Sequence, residues 1–563
     1  MSSLGNVPVT KTDVLVVGSG GSALRAAIEA KVHGASVIVL TKGLAGRSGC
    51  SQMTAHSSII GSRSSQGDGA EVYINDVMKG GGFLGNQRLV EIVVSEGPDR
   101  VRELEKWGAQ WDRKPDGSLN VYHMAGHSFP RTFTSKGNIG KMVQGALLQE
   151  AFRKGLVIQE NTAATRLLFG GNRVVGACAL NFFDGKLEVF SSKSTILATG
   201  SYGQIYKPST AVREDTGDGH VMALHVGASL VDMEHTIFLP TEELNVGQKW
   251  ENGVTPKLLN ALGERFMQKY NPSGLEFATK EVIVRAVLQE IREGRGTKNG
   301  GVYVDLRHLP WDQEVVRDYY SDIVESEGLY GRNPRNDLVE MKTRAHAPVG
   351  GVMTDEHGRT NVDGLYAAGA VVGGLYGNAR ISGFVSISCL VFGRRAGQSA
   401  AEEALSTASP GCPAEEVKVE EERLTRLLTT NDGEQVARAR NWLQTTMMEK
   451  AGPVKDQKDL LDALNLIREH RKLGFHTTSK NREHNLEWLE AIELENLFEI
   501  AEMVVIGSLA RKESRTSFLR KDYPNRDDEN WLRNTTYELR NGKVALGYRV
   551  PNNSRGKSVG IHA

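Results

Sequence analysis

The sequence predicts an α/β fold, α+β overall, that begins with a Rossmann-type βαβ unit. Residues 13–17 form an apolar run typical of a buried strand. Gly18, Gly20 and Gly21 follow in a turn too tight for residues with a Cβ, and an alanine-rich run then predicts a helix. A second apolar run at residues 35–40 supplies the next strand. This order of strand, glycine turn, helix and strand indicates a dinucleotide-binding unit.

The glycine turn has the geometry that places a pyrophosphate on backbone N–H groups at the positive end of a helix. Ser22 and Ala23 complete the pattern, and Ala23 holds the third glycine position, which the fingerprint tolerates. Thr41 and Lys42 follow the second strand, where nicotinamide enzymes usually have an acidic residue for the ribose. The motif therefore favours FAD over NAD, and an ordinary strand-to-helix turn without a ligand is the alternative.

Helix and strand patterns continue along the chain. The predicted elements are helices over residues 88–107 and 140–154 and strands over residues 156–160, 174–181, 187–191 and 194–201. The neighbouring short strands are typical of an antiparallel insert. A strand-turn pattern returns at residues 364–369 and precedes a helix predicted over residues 386–404.

These patterns divide the chain into five segments. Residues 1–230 form the first part of the dinucleotide-binding domain, and residues 231–345, with longer loops and mixed helices, form an inserted second domain. Residues 346–410 return to the first domain, and residues 411–515 are helical because apolar residues recur at three- and four-residue spacing. Residues 516–563 form a polar and aromatic C-terminal extension.

Composition limits the partners. The 68 basic and 68 acidic residues cancel, so no net field attracts nucleic acid. Cys50, Cys178, Cys389 and Cys412 form no C-x-x-C pair, so we expect no metal or iron–sulfur site from this chain alone. No apolar run reaches the roughly 18 residues of a membrane span. Sparse cysteines and the lack of a signal-peptide pattern in residues 1–10 predict a cytoplasmic protein.

Characteristic segments follow one another through most of the chain, at residues 17–23, 41–43, 46–48, 216–219, 263–267, 290–296, 364–369, 392–397 and 523–531. In this order they resemble the flavoprotein subunit family of succinate dehydrogenase, fumarate reductase and L-aspartate oxidase. The resemblance implies an FAD-binding Rossmann-type domain, an inserted mobile capping domain, a helical domain and a C-terminal extension. This division agrees with the five segments.

The resemblance also implies a cofactor site. Its predicted residues are Gly18, Gly20, Gly21, Ser22, Ala23, Thr41, Lys42, Gly46, Arg47, Ser48, Gly49, Gly200, Asp218, Gly369, Val385 and Ser386. Covalent members of the family attach FAD to a histidine directly after Arg-Ser, and Gly49 stands at that position. We therefore expect non-covalent FAD, which favours an alkene reductase or an oxidase over a succinate-oxidising enzyme. Ala370 replaces a glutamate and removes one expected contact to the FAD ribityl chain.

Four residues are candidates for the chemistry. Arg380 occupies the place of the arginine that binds the substrate carboxylate, a role that suits a planar guanidinium. His346 resembles the histidine that donates to the same substrate. Lys280 replaces the arginine that passes a proton to the substrate carbon opposite the hydride, and a solvated residue at a helix start is the alternative reading. Arg285 is the second candidate acid, although it resembles a structural arginine of the family.

The expected substrate differs from that of the family. On the strand beside the flavin, Ile237 and Leu239 replace a glutamine and a histidine, and residues 242–260 lack the family's Thr-Glu-Gly segment. A lost polar partner changes what a pocket wall accepts by roughly 1–3 kcal/mol. We therefore expect an enzyme that interconverts a carbon–carbon single and double bond beside a carboxylate. Its substrate would be an acid with an apolar or bulkier far end rather than plain fumarate or succinate.

Two other functions stay open. One is an amine oxidation like that of L-aspartate oxidase, and the other is an electron-transfer or scaffold subunit with a degraded pocket, given Leu239 and Ala370. The family often pairs with an iron–sulfur subunit. Since this chain has no cluster ligands, electrons would come from a small carrier, another protein or an iron–sulfur subunit.

Overall fold

The structure, a computed structural model, describes residues 7–60, 67–240, 248–249, 254–313, 316–317 and 320–554. The largest sheet within these residues has seven strands, and Val9–Val17 lies near its centre. Val37–Leu40 and Lys186–Leu197 flank this strand in parallel, and Val157–Gln159 pairs with the outer side of Val37–Leu40. The parallel βαβ arrangement that the sequence predicts is confirmed.

Alternate residues of the central strand enter two different cores. Val14 and Val16 pack on one face of the sheet, in the core that also holds the helices Gly21–Val32 and Phe384–Ser406. Leu15 and Val17 point to the other face, whose core includes the helix Leu486–Ala510. Because both faces of a parallel sheet are covered, residues 14–17 of the central strand are all apolar and buried.

The strand Lys186–Leu197 corrects one prediction. The sequence patterns predict separate strands at residues 187–191 and 194–201, but residues 191–194 contain no glycine or proline, and the chain continues as one strand. Its first half pairs antiparallel with Arg173–Asn181, and its last residues pair in parallel with Leu365–Ala367. The strand therefore belongs both to the antiparallel insert and to the parallel core.

The helices end close to their predicted positions. Asn86 and Asn138 cap the helices Gln87–Lys106 and Ile139–Arg153, each by accepting a hydrogen bond from a backbone N–H of the first turn. No described helix combines the length and apolar character needed to cross a membrane. The other helices are Gly21–Val32, Ala70–Gly80, Asp218–His225, Met267–Tyr270, Lys280–Arg292, Ser321–Gly328, Phe384–Ser406, Ala414–Thr429, Val436–Lys450, Gln457–Leu473, Leu486–Ala510 and Asp528–Trp531.

Residues 258–341 contain a separate apolar core. The strands Lys257–Leu259, Val302–Asp305 and Val339–Met341 form its antiparallel sheet, and the helix Lys280–Arg292 contributes Ile283 and Val287 to the core. This part of the chain holds one face of the site described below. The predicted boundaries at residues 231, 346, 411 and 516 stay a prediction.

The C-terminal extension contains a hairpin that its weak periodicity did not predict. Asn534–Arg540 and Lys543–Arg549 pair along their full length, and Asn541 and Gly542 make the turn, both with positive φ. The first hairpin strand also pairs with Leu230–Val231. The remaining strands are Ser57–Ser58, His123–Met124, Thr132–Phe133, Thr162–Gly170, Thr236–Leu239, Gln248–Lys249, Arg344–Pro348, Gly351–Val352, Glu434–Gln435, Val454–Lys455, Phe475–His476 and Leu519–Arg520.

A buried ionic cluster fastens the extension to the strand region of residues 232–239. Arg511 Nε donates to Glu234 Oε1 at 2.9 Å, and Tyr537 Oη donates to Glu234 Oε2 at 2.7 Å. Asn534 and the backbone N–H of Thr535 donate to the carboxylate of Asp232. Asp232, Glu234 and His235 could together approach a metal ion, but Arg511 and these donors already use the carboxylate oxygens. The cluster therefore stabilises the contact between the C-terminal extension and residues 232–239.

Candidate active site

The glycine turn opens into a cleft of about 650 Å³. Gly18 has φ +117°, and a Cβ there would lie 2.2 Å from the carbonyl oxygen of Ala198. Gly20 precedes the helix Gly21–Val32, whose first turn faces the cleft. The backbone N–H of Gly21 donates to Ser51 Oγ at 2.9 Å. A large phosphate-containing cofactor fits this cradle, because bare backbone and a helix N-terminus meet there.

Most of the predicted cofactor residues line this one cleft. They are Gly18, Gly20, Gly21, Ser22, Thr41, Lys42, Ser48, Gly49, Gly200, Asp218, Val385 and Ser386. The structure does not bring four others to its surface. Ala23 is buried inside its helix, Gly46 packs against Leu148, and Arg47 is exposed. Gly369, with φ +86°, lies against Ser22, where a Cβ would come within 2.3 Å of the hydroxyl oxygen.

Lys42 is held by acidic neighbours rather than left available for a ligand. Its Nζ donates to Asp218 Oδ2 at 2.7 Å and to Glu493 Oε1 at 2.8 Å. Burial alone would lower the pKa of Lys42, but the two carboxylates raise this pKa above its ordinary value. Lys42 thus ties the end of the second strand to the helices Asp218–His225 and Leu486–Ala510.

Lys280, His346 and Arg380 lie at the far end of the same cleft. Lys280 is the first residue of the helix Lys280–Arg292, His346 lies on the strand Arg344–Pro348, and Arg380 precedes the helix Phe384–Ser406. Three separate parts of the chain therefore contribute to this end of the cleft.

The charges at this end affect one another. Burial and the nearby Arg380 guanidinium lower the pKa of Lys280 to about 8. Burial, followed by the charges of Lys280 and Arg380, brings the pKa of His346 well below its ordinary value, so its imidazole is neutral. Thr210 Oγ1 lies 2.7 Å from His346 Nδ1 and fixes the ring. The site thus offers a fixed cation, a neutral imidazole and an amine that titrates near neutral pH.

The structure separates the two candidate acids. Lys280 lines the cleft, whereas Arg285, also on the helix Lys280–Arg292, is exposed and lines only an adjoining second cavity. Lys280 also lines that second cavity and therefore lies between the two spaces.

One wall differs from the sequence-based expectation. Leu239 lines the cleft, but Ile237, which is 1% exposed, is buried away from its surface. Arg344 lies opposite Leu239 in the antiparallel pairing of Thr236–Leu239 with Arg344–Pro348, and it also lines the cleft. Leu239 gives this wall no hydrogen-bond donor, but Arg344 places a cation beside it. Most of the segment compared at residues 242–260 lies outside the described residues.

Several residues of the cleft were missed by the sequence reasoning. Cys50 Sγ donates to Asp215 Oδ2 at 2.8 Å, and the backbone N–H of Ser201 donates to Asp215 Oδ1 at 3.0 Å. His56 is buried in the lining, and burial together with the charges of Lys280 and His127 lowers its pKa to about 3. Cys50 could have been predicted to line the cleft because it directly follows Gly49, a predicted cofactor residue. Arg344 could have been found because it lies two residues before His346 on a strand.

The comparisons with known proteins identify the family of the chain. The model of the FAD binding domain matches residues 13–385, and that of the fumarate reductase flavoprotein C-terminus matches residues 440–558. The chain is 36% identical to a fumarate reductase (CoM/CoB) subunit of Methanothermobacter marburgensis, over 92% of this chain and 96% of that protein. It is 31% identical to the succinate dehydrogenase flavoprotein subunit of Rickettsia conorii, over 98% and 96% of the two proteins.

A solved structure shows the same architecture. The FrdA structure of E. coli quinol fumarate reductase aligns with a TM-score of 0.90 at 27% identity, covering 98% of each chain. Because the FAD binding domain spans the cleft, the cofactor of this cleft is FAD. The chain belongs to the fumarate reductase and succinate dehydrogenase flavoprotein family of FAD-dependent oxidoreductases.

Proposed function

We propose that this protein interconverts a carbon–carbon single and double bond next to a carboxylate, on a substrate other than plain fumarate or succinate. The observation that carries the proposal is the meeting of Lys280, His346 and Arg380 at one end of the FAD cleft. Bound FAD supplies the hydride transfer, and the protein supplies orientation, charge and the proton.

Arg380 is suited to hold the substrate carboxylate. Its guanidinium stays charged although burial lowers its pKa, because the ordinary pKa of arginine is so high. In the described part of the chain, no carboxylate forms an ion pair with Arg380. A planar fork of this kind can bind both oxygens of one carboxylate. Neutral His346, oriented by Thr210, can add a hydrogen bond to the same group.

Lys280 is suited to exchange the proton. A general acid or base is most effective when its pKa lies near the working pH, and Lys280 has a pKa of about 8. Its place at the start of a helix adds the positive end of the helix dipole to the charge of Arg380. In the direction of reduction, the ammonium of Lys280 gives a proton to the carbon beside the one that receives hydride. In the opposite direction, the amine removes it.

The substrate wall supports a preference against a second carboxylate at the end bordered by Leu239. A leucine cannot donate a hydrogen bond, and a buried carboxylate without a partner is costly. Lys280, Arg344 and Arg380 still make this end of the cleft cationic and favourable to an anionic substrate. A monocarboxylate with an apolar far end satisfies both features.

Electron exchange with another protein is part of this proposal. The relatives are named as subunits, and Cys50, Cys178, Cys389 and Cys412 are free thiols in this structure. We therefore propose that the partner is an iron–sulfur or other electron-transfer subunit.

The experiment is a panel of acids tested without oxygen on the FAD-loaded protein. Saturated acids are scored for bleaching of the oxidised flavin, and enoates for reoxidation of the chemically reduced flavin. Reoxidation by an apolar enoate, with the saturated acid as product, supports the proposal. Flavin bleaching by aspartate as the sole active acid, followed by oxygen consumption in a separate aerobic assay, would replace it with amine oxidation. A flavin that no carboxylate oxidises or reduces would favour an electron-transfer or scaffold role.

A further inference from the structure

A second cavity adjoins the substrate end of the FAD cleft. Its volume is about 650 Å³, similar to that of the cleft itself. The two spaces share five lining residues, namely Leu239, Lys280, Arg380, Ile381 and Ser382. The proposed carboxylate anchor and the proposed proton donor therefore lie at the boundary, and the second cavity extends beyond them.

Apolar and polar side chains both line this cavity, and at the boundary Leu239 and Ile381 lie beside Lys280, Arg380 and Ser382. Helix, strand and loop each contribute to it, through Met124, Pro240, Ala278, Val282, Ile283 and Ile381. Met124 and Ile283 are buried, and Val282 is 39% exposed. Two of its four cationic residues, Lys79 and Arg285, are exposed, so the cavity reaches solvent at their side. The apolar residues of this lining give water few hydrogen-bond partners, and Asp76 is already paired with Arg131, so this part of the cavity favours an apolar occupant.

We infer that this second cavity, here named the tail chamber, binds the hydrocarbon tail of the substrate. The inference rests on the proposed function and deepens it. With the carboxylate on Arg380 and the reacting carbons beside Lys280, the rest of an acid extends past Ile381 and Leu239. The substrate class is a monocarboxylic 2-enoate, or its saturated counterpart, with an alkyl or aryl group of several carbons. A four-carbon acid is too short to fill the tail chamber, which then contains water.

The size of the chamber supports this class. Pockets that bind drug-sized molecules have volumes of roughly 300–1,000 Å³, so the tail chamber is large enough for a tail of many atoms. Each methylene moved from water into such a space contributes about 0.8 kcal/mol, which corresponds to about a fourfold change in an equilibrium or rate constant. Chain length is therefore the variable to which the enzyme responds.

The first experiment measures kcat/KM for crotonate, hexenoate, octenoate and cinnamate, with reduced FAD enzyme and no oxygen. The expected result is an increase of about fourfold per methylene from crotonate to octenoate, with cinnamate also well above crotonate. Equal or falling values along the series would overturn the inference. If no enoate, crotonate included, reoxidises the flavin, the proposed function itself fails, so the two failures are distinguishable.

The second experiment narrows the tail chamber. Ala125 is half-buried in its lining, and Ala125→Trp would fill part of the space. The expected result is a fall of at least about tenfold in the ratio of kcat/KM for octenoate to that for crotonate. Ala437→Trp, at an exposed helical position outside both cavities, is the matched control and should keep the ratio.

A second variant, with a polar substitution, tests the tail chamber even if Ala125→Trp fails to fold. Val282→Gln changes a partly exposed side chain of the same lining and should lower the same ratio, with FAD content unchanged. If both variants slow crotonate and octenoate equally, the cavity serves proton or water access to Lys280, and the inference is wrong. If neither variant changes kcat/KM for either acid, the tail lies elsewhere, and the inference is likewise wrong.

Discussion

Leu239 lies directly opposite Arg344 in the short antiparallel ladder that borders the substrate end of the FAD cleft. Leu239 offers no hydrogen-bond donor to this wall, and Arg344 places a guanidinium beside it. The effect of Leu239 on the charge of this wall therefore depends on Arg344, the residue across the ladder. The wall remains attractive to anions, but Leu239 itself is apolar where the wall borders the tail chamber.

We expect Lys280→Met to lower turnover by roughly 10²–10⁴-fold while FAD content is retained, because a positioned proton donor is lost. Lys280→Arg should keep part of the activity. Arg285→Met, on the same helix but outside the cleft, is the control and should turn over nearly normally. Normal turnover in Lys280→Met with loss in Arg285→Met would transfer the role to Arg285.

The pH profile provides a separate test of Lys280. Its pKa is about 8, lowered by burial and by Arg380. Reduction requires the ammonium, so kcat/KM for an enoate should fall as the pH rises through about 8. Oxidation of the saturated acid requires the amine and should fall as the pH drops below that value. In Lys280→Arg the alkaline fall should move to higher pH, and a profile unchanged by this substitution would show that another group titrates.

We expect Arg380→Lys to raise KM and lower turnover without changing FAD content. Lysine keeps the charge but loses the planar pair of donors that suits a carboxylate. Steady-state kinetics and the flavin-to-protein ratio measure the two effects separately. Kinetics like those of the unaltered protein would remove the carboxylate assignment.

FAD should be bound without a covalent bond. Gly49 lines the cleft with φ +89°, and a Cβ there would meet no atom within 4 Å, so no nucleophilic side chain occupies the attachment position. Acid precipitation should release yellow flavin into the supernatant. Colour that stays in the protein pellet would contradict this expectation and would direct attention to Cys50.

Lys42→Met should destabilise the fold by about 3 kcal/mol, since it leaves Asp218 and Glu493 without their shared cation. The free energy of unfolding in urea measures this loss, and Lys298→Met, at an exposed loop position, is the control. Because the folded-state pKa of Lys42 is raised, its contribution is complete below the ordinary pKa of 10.5 and is lost as the pH rises through the higher folded-state value.

Local signals in the sequence were sufficient for the core of the fold. The apolar run, glycine turn and helix start predicted the βαβ unit, and the asparagine caps accompany the predicted helices. The hairpin at Asn541 and Gly542 carries a local turn signal, but the polar strands around it show too little periodicity to predict their pairing. On one edge, Lys186–Leu197 has different partners for its two halves, a pairing that the local sequence does not reveal.

Some residues of the candidate site could likewise be predicted from local motifs, and others could not. Lys280, His346 and Arg380 were expected from motifs, and the structure brings them into one cleft. His56 and Arg344 were missed because their places in the cleft depend on long-range pairing rather than on a motif. Lys42 was expected beside the ribose, but its three hydrogen-bond partners come from positions more than 170 residues away in the chain.

The most direct test of the account is anaerobic reoxidation of the chemically reduced, FAD-loaded protein by octenoate, with fumarate measured in parallel and the products identified. Octenoate should restore the oxidised flavin spectrum and yield the saturated acid, and fumarate should be much the poorer oxidant. Efficient use of fumarate, with kcat/KM in the usual range of roughly 10⁴–10⁸ M⁻¹s⁻¹, would contradict the proposed substrate class. A flavin that stays reduced with every enoate would contradict the proposed reaction.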